Sequence, residues 1–413
     1  MGDYKVYYGE YTLKHWIDMI LHRDIELPPF QRDFVWTEEQ VIELIRSIDK
    51  KYFIPPVIIG TYFDTSSKDK CFNYVLDGQQ RLSAIILAYL NKFPKSSQFG
   101  HITDDEFADS NDDRKDEDDS DIKKNILSWG FGKIQNFNIY NKDELLPKLN
   151  SESYSDINWP IDLSSVNSDF FENNYLGFSY LKPTEKDTIK QKKYFSSVFR
   201  NINISATSLS IIESRSSLYW LDVFYKDFFA PSYFEFIKVD NKKIDFARYV
   251  SLLFEKYKKV EGGEEEIKNT NLAYGYGGRR KNMEDYILDF INHVVGESTS
   301  TRFTNFISVF PDKNYQNRMQ NLERIFDSLG FEKSYSSIID ADYYLCGLIY
   351  FVLLRGKNIK IDQKENLKKI IDGAVQDARA DNDGRRHTKT PGALKWIQKR
   401  VSESINIYNN FLE

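Results

Sequence analysis

Along the first ninety residues the apolar positions switch between a spacing near 3.6 and a spacing of two, and the switches mark out an α/β unit. Leu13, Trp16, Ile17 and Ile20 share one face of a helix over residues 12–22, with Thr12 placed to cap it. Asp24 to Leu27 reads as a strand. Pro28-Pro29 then stops both helix and ladder and holds Phe30, Gln31 and Arg32 extended. Thr37-Glu38-Glu39-Gln40 has capping-box spacing, and Val41, Leu44, Ile45 and Ile48 form the buried stripe of the helix it opens. Pro55-Pro56 resets the chain before a strand over Val57–Phe63, and Phe72–Leu76 reads as a second, half-buried strand. After a polar turn, Leu82, Ile85, Ile86, Tyr89 and Leu90 recur at helical spacing.

Farther along, the pattern changes character. Acids crowd residues 101–121 with almost no apolar residue between them, which reads as a solvated insertion, with a DNA-mimicking or metal-binding segment as the other reading. Residues 125–190 have no clear period and are expected to be irregular with short strands. Val198, Ile202, Ile204, Leu209, Ile211 and Ile212 suggest strand material, followed by a helix opening at Glu213. Val239–Ile244 reads as a loop, and Phe246, Tyr249, Val250, Leu253 and Phe254 make a helical face. From about residue 283 the chain is mostly helical, with stripes at Met319, Leu322, Ile325 and Phe326 and at Leu394, Ile397, Val401, Ile405 and Tyr408. The expected fold is α+β: an α/β domain over 1–260 carrying the acidic insertion, then a mainly α-helical domain over 283–413.

Composition narrows the function classes. A formal charge of −6 over 413 residues argues against a generally basic nucleic-acid coat, while leaving room for a local basic groove. Cys71 and Cys346 lie far apart without metal-type spacing, as expected in a reducing cytoplasm. The start lacks an apolar signal region, and the longest apolar run, Tyr343–Leu354, is too short to span a bilayer. The expectation is a cytoplasmic chain with no membrane partner.

The candidate chemistry lies in the turn Asp77-Gly78-Gln79-Gln80-Arg81, where a strand ends and a helix begins. Free backbone N–H groups and the positive end of the helix dipole favour an anion there. Gly78 permits close backbone approach, and Arg81 adds a forked donor suited to phosphate. A hairpin-like turn with an Asp cap and solvated glutamines is the other reading of these residues. Tyr274-Gly275-Tyr276-Gly277-Gly278-Arg279-Arg280-Lys281 pairs glycines and rings with cations, which suits a nucleic-acid backbone or an inter-domain loop. Arg385 and Arg386, in the cluster Arg385-Arg386-His387-Thr388-Lys389, either face DNA or form solvated surface.

Ile25-Glu26-Leu27-Pro28-Pro29-Phe30-Gln31-Arg32-Asp33-Phe34-Val35-Trp36, followed by Asp77-Gly78-Gln79-Gln80-Arg81-Leu82, resembles the N-terminal domain of GmrSD-type modification-dependent restriction enzymes. That family is related to the ParB and sulfiredoxin fold. The resemblance is specific over residues 10–92 and looser to about 260. It implies a ParB-like domain that binds and hydrolyses a nucleoside triphosphate with Mg²⁺. Arg81 would neutralise phosphate charge, Gln79 or Gln80 would orient water, and Asp77 would hold the metal or take a proton. Gln31, Arg32, Gly78 and Arg81 would contact the nucleotide. The resemblance also implies a role in anti-phage restriction that senses or acts on DNA. The histidines of this chain, His15, His22, His101, His293 and His387, form no metal motif, so a separate nuclease subunit is expected. A homo-oligomer is a further expected assembly. Two alternatives remain: a nucleotide or DNA switch without turnover, and a metal-dependent nuclease using the same site.

Overall fold

The computed structural model describes residues 4–28, 33–64, 70–99, 127, 129–163, 166–184, 187, 191, 194, 195, 198, 211–219, 223–260, 272–276, 282–296, 300–311, 314–380 and 384–413. The acidic stretch 101–121 lies outside them. The chain divides into two compact units between residues 221 and 222. The division falls earlier than the expected boundary near 260, because the helix Phe246–Val260 buries Phe246, Tyr249, Val250, Leu253 and Phe254 within the second unit.

The first unit is built on a four-stranded sheet. Strand β1 (Tyr4–Thr12) leads into helix α1 (Leu13–Leu21), whose N-cap Thr12 accepts from the His15 N–H at 3.1 Å. Helix α2 (Glu38–Asp49) opens with the expected capping box between Thr37 and Gln40. Strands β2 (Val57–Asp64) and β3 (Lys70–Asp77) pair antiparallel, and helix α3 (Gln79–Leu90) follows directly. Strand β4 (Tyr175–Pro183) returns to lie between β1 and β2, antiparallel to the first and parallel to the second, giving the order β1-β4-β2-β3. Trp16 and Ile17 of α1, Val41 and Ile45 of α2, and Ile85 and Ile86 of α3 fill the core against Val57, Ile59 and Val75. The other sheet face carries a smaller cluster of Tyr62, Leu76, Leu181 and Phe195.

Several expectations are corrected. Asp24–Leu27 does not form a strand; Glu26 makes a single parallel bridge to Tyr74. The interval 125–190 contains the nine-residue β4, an inner strand of the sheet, and a further strand, β1, precedes the first expected helix. Ile211 and Ile212 are helical, within Ile211–Tyr219, rather than strand. The expected loop after Val239 is a hairpin turn, with Asp240 and Asn241 at φ +48° and +64° between Lys238–Val239 and Lys242–Lys243.

The second unit is mainly helical. Helix α4 (Phe246–Val260), α5 (Met283–Val295), α6 (Tyr315–Leu329), α7 (Ile338–Leu348), α8 (Lys364–Ala380) and α9 (Leu394–Asn409) bury the expected stripes. α7 and α9 touch at Gly347, where an added β-carbon would lie 2.4 Å from a Tyr408 ring carbon and 2.6 Å from the Ser404 carbonyl oxygen. Only glycine permits that approach.

Candidate functional site

The turn between β3 and α3 has the geometry that the sequence anticipates, but its side chains are committed differently. Gly78 caps α3 at φ +96° and brings no side-chain cap bond. A β-carbon there would stand 2.9 Å from Val57 Cγ2, so glycine meets both the left-handed backbone and the contact with β2. Gln79 and Gln80 are both buried, at 4 % and 9 % exposure. They are not solvated glutamines.

Gln80 joins the two sequence motifs. Its amide accepts from the Val35 N–H at 3.0 Å and donates to the Asp33 carbonyl at 3.1 Å. One side chain thereby replaces the backbone partners that an extended segment would otherwise lack. The same segment is held on its other side, where the Phe34 N–H donates to the Trp129 carbonyl at 2.7 Å. Trp36 packs against the core. Burial raises the Asp33 carboxyl above its ordinary range, opposed by the nearby Lys133 cation.

Arg81 turns back on its own turn. Its Nη2 donates to Asp77 Oδ2 at 2.6 Å, and its Nη1 donates to the carbonyls of Pro55 and Pro56, the latter at 3.3 Å. Its side chain is 12 % exposed against 38 % for Asp77, so the carboxylate is the more open partner. The arrangement fixes the orientation of Asp77 and fastens the turn to the corner that precedes β2. Ser83, one turn farther along α3, buries its hydroxyl without a hydrogen-bond partner among the described residues. A single serine in an apolar helix carries no motif, so nothing in the sequence marks Ser83.

A divalent cation at this turn would find the carboxylate of Asp77, one oxygen of which is engaged by Arg81. That is a sparse protein donor set. It fits Mg²⁺, which commonly binds through one or two carboxylates together with substrate phosphates and water. Among the described residues, no group of three or more His, Cys, Asp or Glu is placed to hold a metal by itself.

The remaining candidates divide. Gln31 and Arg32 lie outside the described residues, as do Arg279, Arg280 and Lys281. Arg385 and Arg386 fall in the short helix Gly384–Lys389, and their side chains are likewise outside the description. His387 on that helix is buried, its ring stacked on Trp396 with centroids 4.5 Å apart. It is not part of an exposed basic surface. No described helix is long and apolar enough to cross a membrane.

A family model described as the GmrSD restriction endonuclease, N-terminal domain, matches residues 13–220, close to the limits of the first unit. Among curated proteins, the uncharacterized protein MJ0686 of Methanocaldococcus jannaschii is 34 % identical over 90 residues. That match covers 17 % of this chain and 16 % of the relative's length. No solved structure matches the chain.

Proposed function

This chain belongs to the family of the GmrSD restriction endonuclease N-terminal domain, and on that premise we propose that it is the nucleotide-binding and nucleotide-hydrolysing component of a bacterial anti-phage or modification-dependent restriction system. The observation that carries the proposal is the start of α3. A helix N-terminus capped only by Gly78 lies beside the Asp77–Arg81 pair, and Gln80 holds the upstream motif against it. Phosphoryl transfer asks chiefly for positioning and charge neutralisation, and a helix N-terminus with an adjacent guanidinium supplies both. In this reading Asp77 receives Mg²⁺ or a proton, and Arg81 orients Asp77 and meets a phosphate by exchanging partners. Bound Mg²⁺ would neutralise the charge that develops on the transferring phosphoryl group. Gln31 and Arg32 would contact the nucleotide from the facing segment, DNA would be the object sensed, and a separate subunit would do any cutting.

A second reading, a nucleotide switch without turnover, draws on the same ion pair. Asp77 and Arg81 satisfy one another, so an anion that displaces Asp77 would change how the turn is fastened to Pro55 and Pro56. The nuclease reading ranks last, since one acid in the motif is a thin basis for two metals.

Phosphate release from each of the four nucleoside triphosphates with Mg²⁺, for wild type and Asp77→Asn, tests the proposal. The expected outcome is turnover that falls about 100-fold or more in the variant, the scale of losing a group that stabilises transition-state charge. Turnover undiminished in Asp77→Asn places the active site elsewhere. Nucleotide binding without turnover in wild type selects the switch.

A further inference from the structure

Two aromatic rings stand in solvent at the end of α2. Tyr52 is 63 % exposed and Phe53 is 87 % exposed. Large rings so open, side by side, mark interaction surfaces more often than random scatter does. The turn that presents them is well fastened. The Tyr52 N–H donates to the Ser47 carbonyl at 2.9 Å and the Lys51 N–H to the Ile48 carbonyl at 3.0 Å, closing the helix in a Schellman-like cap. Lys51 occupies the left-handed position of that cap, at φ +57°, where glycine or asparagine is the usual occupant. Its ammonium donates to Asn174 Oδ1, so this cation is also held in place.

The surroundings suit a particular partner. Lys50 and Lys51 are both exposed beside the rings. Three acids are near: Asp49, which is exposed, and Glu43 and Asp162, which share the Arg46 guanidinium, Asp162 accepting from its Nε at 3.0 Å. Phe53 is two residues from Pro55, at most about 7 Å of extended chain, and the carbonyls of Pro55 and Pro56 are the groups that hold Arg81. The patch therefore lies close along the chain to the corner that fastens the proposed nucleotide site. Lysine is depleted at protein–protein interfaces, whereas cations interleaved with open rings are the pattern of surfaces that bind unpaired nucleic acid.

We propose that residues 50–53 are a platform for a nucleic-acid strand with unstacked bases, Tyr52 and Phe53 stacking on bases while Lys50 and Lys51 contact the flanking phosphates. The proposal rests on the reading that this chain senses or acts on DNA and adds the surface that does so. It does not require nucleotide hydrolysis at Asp77.

The test is fluorescence anisotropy of a labelled 12-nucleotide single strand, and of the matching duplex, on the full chain at two salt concentrations. Wild type is compared with Phe53→Ala, Phe53→Trp, Lys50→Gln and Asp77→Asn. Phe53→Ala is expected to weaken single-strand binding roughly 5- to 140-fold, the effect of losing one stacked base. Phe53→Trp restores binding, and Lys50→Gln reduces the salt dependence. Single-strand binding by Phe53→Ala at wild-type affinity overturns the proposal. So does an altered oligomeric size in Phe53→Ala with no change in oligonucleotide affinity, which assigns the patch to a protein partner. Asp77→Asn separates the two claims: it is expected to keep strand binding while losing phosphate release. Strand binding lost in Phe53→Ala while Asp77→Asn still releases phosphate at the wild-type rate refutes the nucleotide reading alone; phosphate release lost in Asp77→Asn while Phe53→Ala binds the strand like wild type refutes the platform alone.

Discussion

Replacing Asp342 by alanine is expected to destabilise the second unit by about 3–5 kcal/mol, the scale for removing one partner of a buried ion pair. Asp342 is fully buried on α7 and receives both terminal nitrogens of Arg248, at 2.9 and 3.0 Å, and Nε of Arg400 at 2.8 Å. Without the carboxylate, two buried guanidinium groups lose their shared counter-charge. Arg400 also donates to the Pro391 carbonyl at 2.9 Å, and its Nη1 lies 2.8 Å from His387 Nε2. Because a guanidinium only donates, His387 accepts at Nε2 and is neutral there. The cluster thus joins α4, α7, α9 and the short helix Gly384–Lys389.

The same cluster sets an acid response in two windows. Burial pushes the Asp342 carboxyl up, but Arg248 and Arg400 overcome that and hold it at about 2, below the ordinary 3.8. Its contribution is complete above pH 3.8 and is lost as pH falls toward 2. Burial, with Arg400 adding to it, lowers the His387 imidazole from 6.5 to about 4. A lowered folded value means that the unfolded chain takes up the proton first, so this contribution is complete above pH 6.5 and is lost as pH falls toward 4. Urea denaturation of wild type and Asp342→Ala at pH 7.5, with hydrogen exchange read on peptides from Ile338–Leu348, checks the size of the effect. An Asp342→Ala chain as stable as wild type contradicts it. Repeating the wild-type measurement at pH 5 is expected to show the His387 loss without the Asp342 loss.

Replacing Gln80 by leucine is expected to unfasten the upstream motif at a local cost of about 1–3 kcal/mol, because the Val35 N–H and the Asp33 carbonyl both lose their partner. Leucine nearly conserves the buried volume, so the loss isolates the hydrogen bonds from packing. Exchange at the Val35 amide would then rise about 5- to 140-fold by the conversion of 1.4 kcal/mol per tenfold. Nucleotide-dependent activity would fall with it. Unchanged exchange at Val35 would show that the segment is held by Trp129 and its neighbours alone.

What the sequence made legible follows from which signals are local. Thr12 and Thr37 announce their helices because a capping side chain acts within three residues. The strand–turn–helix around Gly78 is likewise written in a short stretch. Strand β4 was missed because its residues alternate poorly, with partly exposed positions through the middle, and β1 because it is exposed along most of its length. Long-range commitments were illegible. Nothing near Arg81 says that it reaches the carbonyls of Pro55 and Pro56, and nothing near Gln80 points to Asp33 and Val35. Arg400 illustrates the limit most clearly. In sequence it closes a cation-rich run, yet in the fold it is fully buried against an acid 58 residues away.

In the proposed reading the start of α3, the Pro55-Pro56 corner and the segment Asp33–Trp36 form one nucleotide site. Hydrogen exchange of the full chain with Mg²⁺, with and without a non-hydrolysable analogue of each nucleoside triphosphate, tests it most directly. One or more analogues are expected to protect peptides covering residues 33–36, 53–57 and 76–83 together, and Asp77→Asn is expected to abolish the protection. Protection confined to the second unit, or none with any analogue, would contradict it.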